Sequence, residues 1–219
     1  MHYKTVKRIL DILLSMIGLP FVGVAILLFG PLIWLSDRGT IFYNAPRRGY
    51  KGKVFNMYKL RSMKMNAPLL RNPDGSTYTG SDDPRVTKIG RFLRKTSIDE
   101  LPQIVNVLKG DMSFVGPRPT LAVSDFDSLT PEQKKHYDVL PGITGYTQAY
   151  YRNAISQAEK FRLDAEYVDR MSFWLDVRIL FRTIISVLGA KNINAKNAGG
   201  EKSSAQPREA KTGDTNKTV

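Results

Sequence analysis

The segment ILLSMIGLPFVGVAILLFGPLIWL, residues 12–35, contains no charged side chain. At about 1.5 Å per residue, a helix of this length is long enough to cross a hydrocarbon layer of about 30 Å. The segment therefore predicts a membrane helix near the start of the chain, and the rest of the fold has to be arranged around it.

Two features of this segment argue against a plain transmembrane span. Pro20 removes a helical hydrogen bond and crowds the preceding turn, so a break or kink is expected near residues 16–20, and Pro31 is a second breaker. Positive charge also flanks both ends, at Lys4, Lys7 and Arg8 before the segment and at Arg38, Arg47, Arg48, Lys51 and Lys53 after it. Basic flanks favour the cytoplasmic side, which places both ends there. The preferred interpretation is a kinked, re-entrant helix; a straight span and a core helix of a soluble protein are the alternatives.

Composition narrows the chemistry that the chain can perform. It has no cysteine and only two histidines, which excludes disulfides and thiolate chemistry and makes a histidine-based metal site or catalytic triad improbable. Acid–base work falls to carboxylates, Lys, Arg or Tyr. The net charge of +13 indicates an anionic partner, either phosphorylated small molecules, anionic membrane lipid or nucleic acid. Nucleic acid is disfavoured, because the basic residues are dispersed and form no recognised module.

The rest of the chain predicts an α+β fold, with a mostly helical catalytic domain, a small β element and the N-terminal re-entrant membrane helix. Strands are expected at 40–43 and 53–58, and helices at 88–95, 98–108, from Thr130-Pro131 onward, at 156–171 and at 173–188. The apolar last helix fits either the core or the membrane interface. Residues 64–84 are polar and predict a loop. The expected domains are 1–36 for the membrane helix, 37–189 for the catalytic domain and 190–219 for a disordered polar tail.

The stretch LRKTSIDELPQIVNVLKGDMSFVGPRP, residues 93–119, contains the most informative acidic pair, Asp99 and Glu100. Ser97 and Glu100 fit a capping box, so the two carboxylates could serve only to begin a helix. The same geometry also suits chemistry, because a helix N-terminus can hold a phosphate beside a nucleophilic carboxylate. Four basic residues are close in sequence and suited to phosphate contact: Arg91, Arg94, Lys95 and Arg118.

A series of ordered motifs then gives the chain a specific resemblance. The motifs are KRILD at 7–11, RG at 48–49, YKLRSM at 58–63, DPRVT at 83–87, SIDELPQ at 97–103, NVLKGDMS at 106–113, VGPRP at 115–119, PGITG at 141–145 and RNAIS at 152–156. In these residues the chain resembles the bacterial sugar transferases, and more narrowly the small monotopic polyprenyl-phosphate phosphoglycosyl transferases, over about residues 4–188.

The resemblance implies an enzyme on the cytoplasmic face of the bacterial inner membrane. Such an enzyme transfers sugar-1-phosphate from a UDP-sugar to polyprenyl (undecaprenyl) phosphate and releases UMP. The resemblance assigns Asp99 as the nucleophile that carries the sugar phosphate, and Asp99 and Glu100 as contacts of Mg²⁺. It implies phosphate or substrate contacts at Lys59, Arg94, Arg118, Arg152 and Asn153.

Two other functions stay open on sequence alone. A membrane-anchored binding protein would use the basic surface without turnover, but has no need of adjacent carboxylates within a basic cluster. Direct glycosyl transfer would release UDP in place of UMP. The chain is compatible with a homodimer, for which the sequence offers no specific signal.

Overall fold

The structure is a computed structural model that describes residues 2–68, 70, 83–122, 126–151 and 154–188. The helices are α1 His2–Asp37, α2 Lys88–Thr96, α3 Gln103–Lys109, α4 Pro131–Lys135, α5 Tyr146–Tyr150, α6 Gln157–Arg170 and α7 Phe173–Leu188. The strands are β1 Ala45–Arg48, β2 Val54–Met57, β3 Ser113–Val115, β4 Thr120–Leu121 and β5 Gly142–Thr144, and 3-10 turns lie at Tyr50–Gly52 and Ile98–Glu100. The predicted α+β class with mostly helical content is confirmed.

The β structure forms two small sheets. Strands β2, β1 and β4 make an antiparallel sheet in that order, and β3 pairs in parallel with β5. The strand predicted at 40–43 is wrong in position, because only Phe42 forms a bridge, to Leu60, and the paired strand begins at Ala45. The parallel pair brings the carboxyl ends of β3 and β5 to one edge, where the loops after Val115 and Thr144 emerge together.

Three apolar clusters hold these elements together. Met57, Val107 and Met112 join β2 to α3 and the start of β3. Ile33, Leu60 and Leu93 join α1 to the segment after β2 and to α2. Val115, Ala149, Tyr167 and Ile179 join β3 to α5, α6 and α7. The segment that connects β2 to the site residues is therefore packed from both sides.

Helix α1 lies against this body along its whole length. The buried positions Asp11, Ser15, Val22, Ala25 and Ile33 are 4, 7, 3 and 8 residues apart, close to whole helical turns, which places them on one helical face. Pro20 and Pro31 lie inside this single helix, so neither proline ends it. The opposite face is apolar and exposed, with Phe21, Leu27, Leu28 and Leu35 among its members.

Polar contacts fix the N-terminal end of α1 to the body. The Arg8 guanidinium donates to the carbonyls of Val107 at 2.6 Å and Leu108 at 2.9 Å, the last turn of α3. The Asp11 carboxylate accepts from the Ser113 hydroxyl at 3.1 Å and the Phe114 amide at 3.0 Å. These contacts satisfy helix-end and strand groups that would otherwise need water.

The C-terminal end of α1 is fixed in the same way. Asp37 accepts two bonds from the Arg61 guanidinium, at 2.5 and 2.6 Å, and one from the Met65 amide at 2.9 Å. By length and composition α1 is apolar enough to cross a membrane, and only 17% of its most apolar window is buried. A core helix of a soluble protein would be mostly buried, so this alternative does not fit.

The sequence left open whether the last helix lies in the core or at the membrane interface; in the structure α7 has one buried face and one exposed face. Ile179 is fully buried among α5 and α6, and Asp176 accepts from the Tyr167 hydroxyl at 2.7 Å. On the other face Trp174 is 74% exposed and Phe181 is 65% exposed. Helix α7 thus packs into the core with one face and, like α1, presents an exposed apolar surface with the other. Most of the predicted 64–84 loop and the 190–219 tail lie outside the described residues.

Candidate active site

Asp99 and Glu100 lie in a single 3-10 turn between α2 and α3. Ser97 has the left-handed backbone φ of 58°, ends α2, and makes no side-chain capping bond to the following turn. The predicted capping box at Ser97 and Glu100 is therefore wrong, and the predicted helix 98–108 is divided into the turn and α3. The Glu100 side chain is released from a capping role and takes part in long-range ion pairs.

The Asp99 side chain is almost completely buried, with 2% of its surface exposed. Its Oδ2 atom lies 2.9 Å from Lys59 Nζ but has no hydrogen bond of good geometry among the described residues, so the contact is an ion pair with an off-line approach. Its backbone carbonyl accepts from the Leu60 amide at 2.9 Å. A buried carboxylate with one cationic neighbour and a spare lone pair is a suitable nucleophile toward an electrophilic phosphorus.

Glu100 joins two cations. Its Oε1 atom lies 3.2 Å from Lys59 Nζ and 3.3 Å from Arg118 Nη2. Burial disfavours the charged carboxylate, but the positive charges of Arg118 and Lys59 outweigh burial and lower the pKa of Glu100 to about 2. Glu100 is thus an anion at neutral pH and holds both cations beside Asp99.

Lys59 reaches this position because the chain before it is fixed by Asn106. The fully buried Asn106 side chain accepts from the Tyr58 amide at 2.9 Å and donates to the Asn56 carbonyl at 2.8 Å. These bonds secure the exit of β2 against α3 one residue before Lys59. Sequence reasoning named Asn106 only as part of a motif, and its amide gave no local signal of this role.

Arg118 stands on a loop at the edge of the parallel sheet. The Gly116 amide donates to the Thr144 carbonyl at 2.9 Å, and the Gly142 amide donates to the Pro117 carbonyl at 2.9 Å. A Cβ atom on Gly116 would lie 2.4 Å from the Leu140 carbonyl oxygen, so only glycine allows this approach of the two chains. The loop is thereby aligned with β5 before it turns toward Glu100.

Arg94 approaches the same carboxylates from α2. Its Nε donates to the Ser62 hydroxyl at 2.8 Å, and burial lowers the pKa of its guanidinium, while the negative charges of Asp99 and Asp83 oppose this. Asp83 in turn is paired with Arg85 through two short bonds, at 2.7 and 2.8 Å. Arg94 therefore lies near the carboxylates of Asp99 and Glu100 and makes no direct bond to either.

The structure brings together five of the seven predicted site residues. Lys59 contacts both Asp99 and Glu100, and Arg118 contacts Glu100. Arg94 interacts electrostatically with the carboxylates of Asp99 and Glu100. The predicted substrate contacts Arg152 and Asn153 lie outside the described residues. Arg91 and Lys95, the other basic candidates, lie on the exposed side of α2.

The carboxylates can be tested for fit to Mg²⁺. Among the described residues no three metal-ligating side chains cluster, so an all-protein cage for a metal is absent from this part of the chain. Mg²⁺ commonly uses one or two carboxylates and completes its shell with water and substrate phosphate. Asp99 Oδ2, buried and without a hydrogen bond, and the adjacent Glu100 provide that smaller set.

Comparison with known proteins identifies the family of the chain. The sequence model of the family described as "Bacterial sugar transferase" matches residues 2–190. The chain is 43% identical over 192 residues to the uncharacterized sugar transferase EpsL of Bacillus subtilis, covering 87% of this chain and 91% of EpsL. It therefore belongs to the bacterial sugar transferase family, a family of enzymes.

Two further relatives have names that state their reactions. The chain is 36% identical over 199 residues to the undecaprenyl-phosphate galactose phosphotransferase of Salmonella typhimurium, covering 84% of this chain. It is 35% identical over 199 residues to the UDP-glucose:undecaprenyl-phosphate glucose-1-phosphate transferase of Xanthomonas campestris, covering 87% of this chain. The match spans only 41% of the length of the Salmonella relative and 40% of that of the Xanthomonas relative.

Proposed function

We propose that this protein transfers sugar-1-phosphate from a UDP-sugar to undecaprenyl phosphate, producing undecaprenyl-diphospho-sugar and UMP. The observation that carries the proposal is the buried Asp99 carboxylate beside Lys59, with Glu100 and Arg118 adjoining it. The reactions stated in the names of the Salmonella and Xanthomonas relatives support the donor and the lipid acceptor. The reaction is a first membrane step in making a bacterial polysaccharide or glycoconjugate.

The proposed reaction proceeds in two displacements at one phosphorus. A carboxylate oxygen of Asp99 attacks the β-phosphorus of the UDP-sugar, the bond from that phosphorus to the bridging oxygen breaks, and UMP leaves with the electron pair. An oxygen of undecaprenyl phosphate then attacks the same phosphorus, and the bond to Asp99 breaks to restore the carboxylate. Neither displacement moves a proton to or from a carbon atom, which fits a site composed of carboxylates and cations.

The basic side chains supply what this chemistry needs. Each displacement brings an anion toward a phosphate, so the barrier includes electrostatic repulsion. Lys59, Arg94 and Arg118 converge on the carboxylates from three separate segments and neutralise charge on the phosphate oxygens. A bound Mg²⁺, held by Asp99 and Glu100, would supply further charge neutralisation of the diphosphate.

The location we propose is the cytoplasmic face of the inner membrane, with α1 entering and leaving through one leaflet. Both ends of α1 contact the catalytic body, through Arg8 and Asp11 at one end and Asp37 at the other. A helix that crossed the bilayer would move one end away from that body. The exposed apolar faces of α1 and α7 would then rest among lipid tails, with anionic headgroups beside the basic residues.

Nucleotide release tests the reaction. Purified protein in nanodiscs is given Mg²⁺, undecaprenyl phosphate and each of a panel of UDP-sugars, and UMP and UDP are separated by chromatography. We expect UMP from a preferred donor, and Asp99→Asn to lower the rate by at least about a thousandfold because the nucleophile is lost. Asp169→Asn, the same change at an exposed site on α6, should leave the rate unchanged.

The covalent step has its own readout. Without undecaprenyl phosphate, the wild type should release UMP in an amount equal to the enzyme and gain the mass of one sugar phosphate. UDP in place of UMP would contradict the proposal and indicate direct glycosyl transfer. Full activity in Asp99→Asn would remove Asp99 as the nucleophile.

A further inference from the structure

His136, immediately after α4, is buried and touches the loop that carries Arg118. Only 5% of its side chain is exposed, and its ring lies edge-on to those of Tyr137 and Phe161 at 4.7 and 5.0 Å between centroids. Its Nε2 atom lies 3.2 Å from the backbone carbonyl oxygen of Arg118. The imidazole thus links the helical side of the molecule to the backbone of a site residue.

The contact to Arg118 determines which nitrogen of the ring carries a hydrogen. A carbonyl oxygen only accepts, so the contact to Arg118 requires a hydrogen on Nε2. On the other side Nδ1 lies 3.0 Å from Asp164 Oδ2, close but without the geometry of a hydrogen bond, and Asp164 Oδ1 accepts from the Thr147 hydroxyl at 3.0 Å. Asp164, itself held by Thr147, therefore lies against the ring in the orientation in which Nε2 contacts Arg118.

The backbone is fixed on both sides of Arg118, and the contact with His136 lies between the two fixed stretches. Pro117 and Pro119 lack amide hydrogens, and the bonds from Gly116 and to the Pro117 carbonyl fix the loop only up to Arg118. After it the chain enters β4, a strand of two residues paired with β1. The bond from His136 meets the carbonyl between these two anchored stretches, on the residue whose guanidinium reaches Glu100.

We propose that His136, oriented by Asp164, is a positioning residue that sets the Arg118 guanidinium on Glu100. The proposal rests on the proposed function, since its effect is exerted on the transfer step through Arg118. His136 contacts neither carboxylate of the site and is not a catalytic residue. It acts by restricting the backbone from which the arginine extends.

Two amide substitutions separate positioning from packing. In His136→Gln the amide nitrogen reaches the place of Nε2 and can still donate to the Arg118 carbonyl, whereas in His136→Asn it reaches only the place of Nδ1. We expect kcat for UMP release within about threefold of the wild type in the Gln variant. In the Asn variant we expect a fall of about ten- to hundredfold with a smaller change in KM, because misplacement of a site residue weakens the transition state.

Repeating the His136 substitutions in a protein that also carries Arg118→Ala shows whether their effect on kcat depends on Arg118. If it does, His136→Asn should lower kcat by less than about twofold once Arg118 is gone, since residues that act as a unit are not additive. An equal fall in both backgrounds, or an equal fall in the Gln and Asn variants, would overturn the proposal. If His136→Asn does not fold, Asp164→Asn keeps the side-chain shape, removes the orienting charge and is compared in the same two backgrounds.

Hydrogen exchange of the segment 116–121 gives a readout that needs no turnover. The most protected amide of β4, Thr120–Leu121, should exchange faster in His136→Asn than in the wild type and keep its wild-type rate in His136→Gln. Unchanged protection in the Asn variant would overturn the proposal. A wild type that releases no UMP contradicts the proposed function alone, and the exchange experiment still decides whether His136 fixes the loop.

Discussion

At the scale of single residues, the Glu100 carboxylate balances the positive charges of Lys59 and Arg118 in the site. It is mostly buried and still ionised, because Arg118 and Lys59 stabilise its carboxylate. The pKa falls from its usual 4.5 to about 2, so ionised Glu100 favours the folded state. A folded-state pKa below the unfolded value gives a contribution that is complete above about pH 4.5 and is lost as the pH falls toward 2.

This balance predicts how Glu100→Gln behaves. At pH 7 the variant should be less stable by on the order of 1–3 kcal/mol, because the partly buried Lys59 and the exposed Arg118 lose their shared anion. The difference in melting temperature from the wild type should narrow as the pH is lowered from 5 toward 3. Glu132→Gln, the same change at an exposed position of α4, is the control and should show neither effect. A difference that widens in acid would contradict the assigned charge of Glu100.

The sequence predicted the membership of the site better than its local structure. Motif resemblance named Asp99, Glu100, Lys59 and Arg118, and the structure brings them into contact. The capping box failed because a pattern of four residues contains no information on Lys59 or Arg118, which are distant in sequence and compete for the Glu100 side chain. The helix start predicted at Thr130-Pro131 was correct, and in the structure Gln133 completes a capping box with Thr130.

At the scale of elements, α2 fits against the segment after β2 only through a glycine. A Cβ atom on Gly90 would lie 1.9 Å from the backbone carbonyl oxygen of Ser62, where neither chain can yield without moving. The same helix presents Arg94, whose Nε binds the Ser62 hydroxyl. The close approach therefore determines both the packing of α2 and the position of a basic site residue.

Alanine at two glycines tests this element. Gly90→Ala should destabilise the fold by roughly 2–4 kcal/mol and lower transfer activity, because α2 is pushed from Ser62 and carries Arg94 with it. Gly23→Ala on the exposed face of α1 is the matched control, since a Cβ atom there meets nothing within 4 Å. Thermal unfolding and UMP release measure the two effects. Equal stability of both variants would contradict the packing of α2 described here.

Elements with a local signal were predicted, and those without one were not. Helices α2, α6 and α7 lie within a residue or two of their predicted bounds because caps and apolar periodicity mark them. Strands β3 and β5 were missed, since each has three residues and gains its partner only through a parallel pairing across the intervening α4. That pairing orients Arg118, so the part of the site that depends on it was beyond local reasoning.

At the scale of the whole molecule, the two ends of α1 distinguish a re-entrant helix from a crossing one. The chain has no cysteine, so single cysteines can be introduced at exposed positions on either side, Thr5→Cys and Asn44→Cys. In sealed vesicles with the cytoplasmic side outward, we expect a membrane-impermeant maleimide to label both. In vesicles of opposite orientation neither should react before detergent is added. Labelling of the two positions from opposite sides would show that α1 crosses the bilayer.

Arg8 and Asp11 tie the order of synthesis to the order of folding. Both belong to α1, and their partners at 107–108 and 113–114 are made about a hundred residues later. At the proposed membrane location, α1 is therefore made before the parts of the catalytic body that pack against it. A protease that removed α1 from the mature protein would leave the Leu108 carbonyl and the Phe114 amide without their partners, and the body less stable.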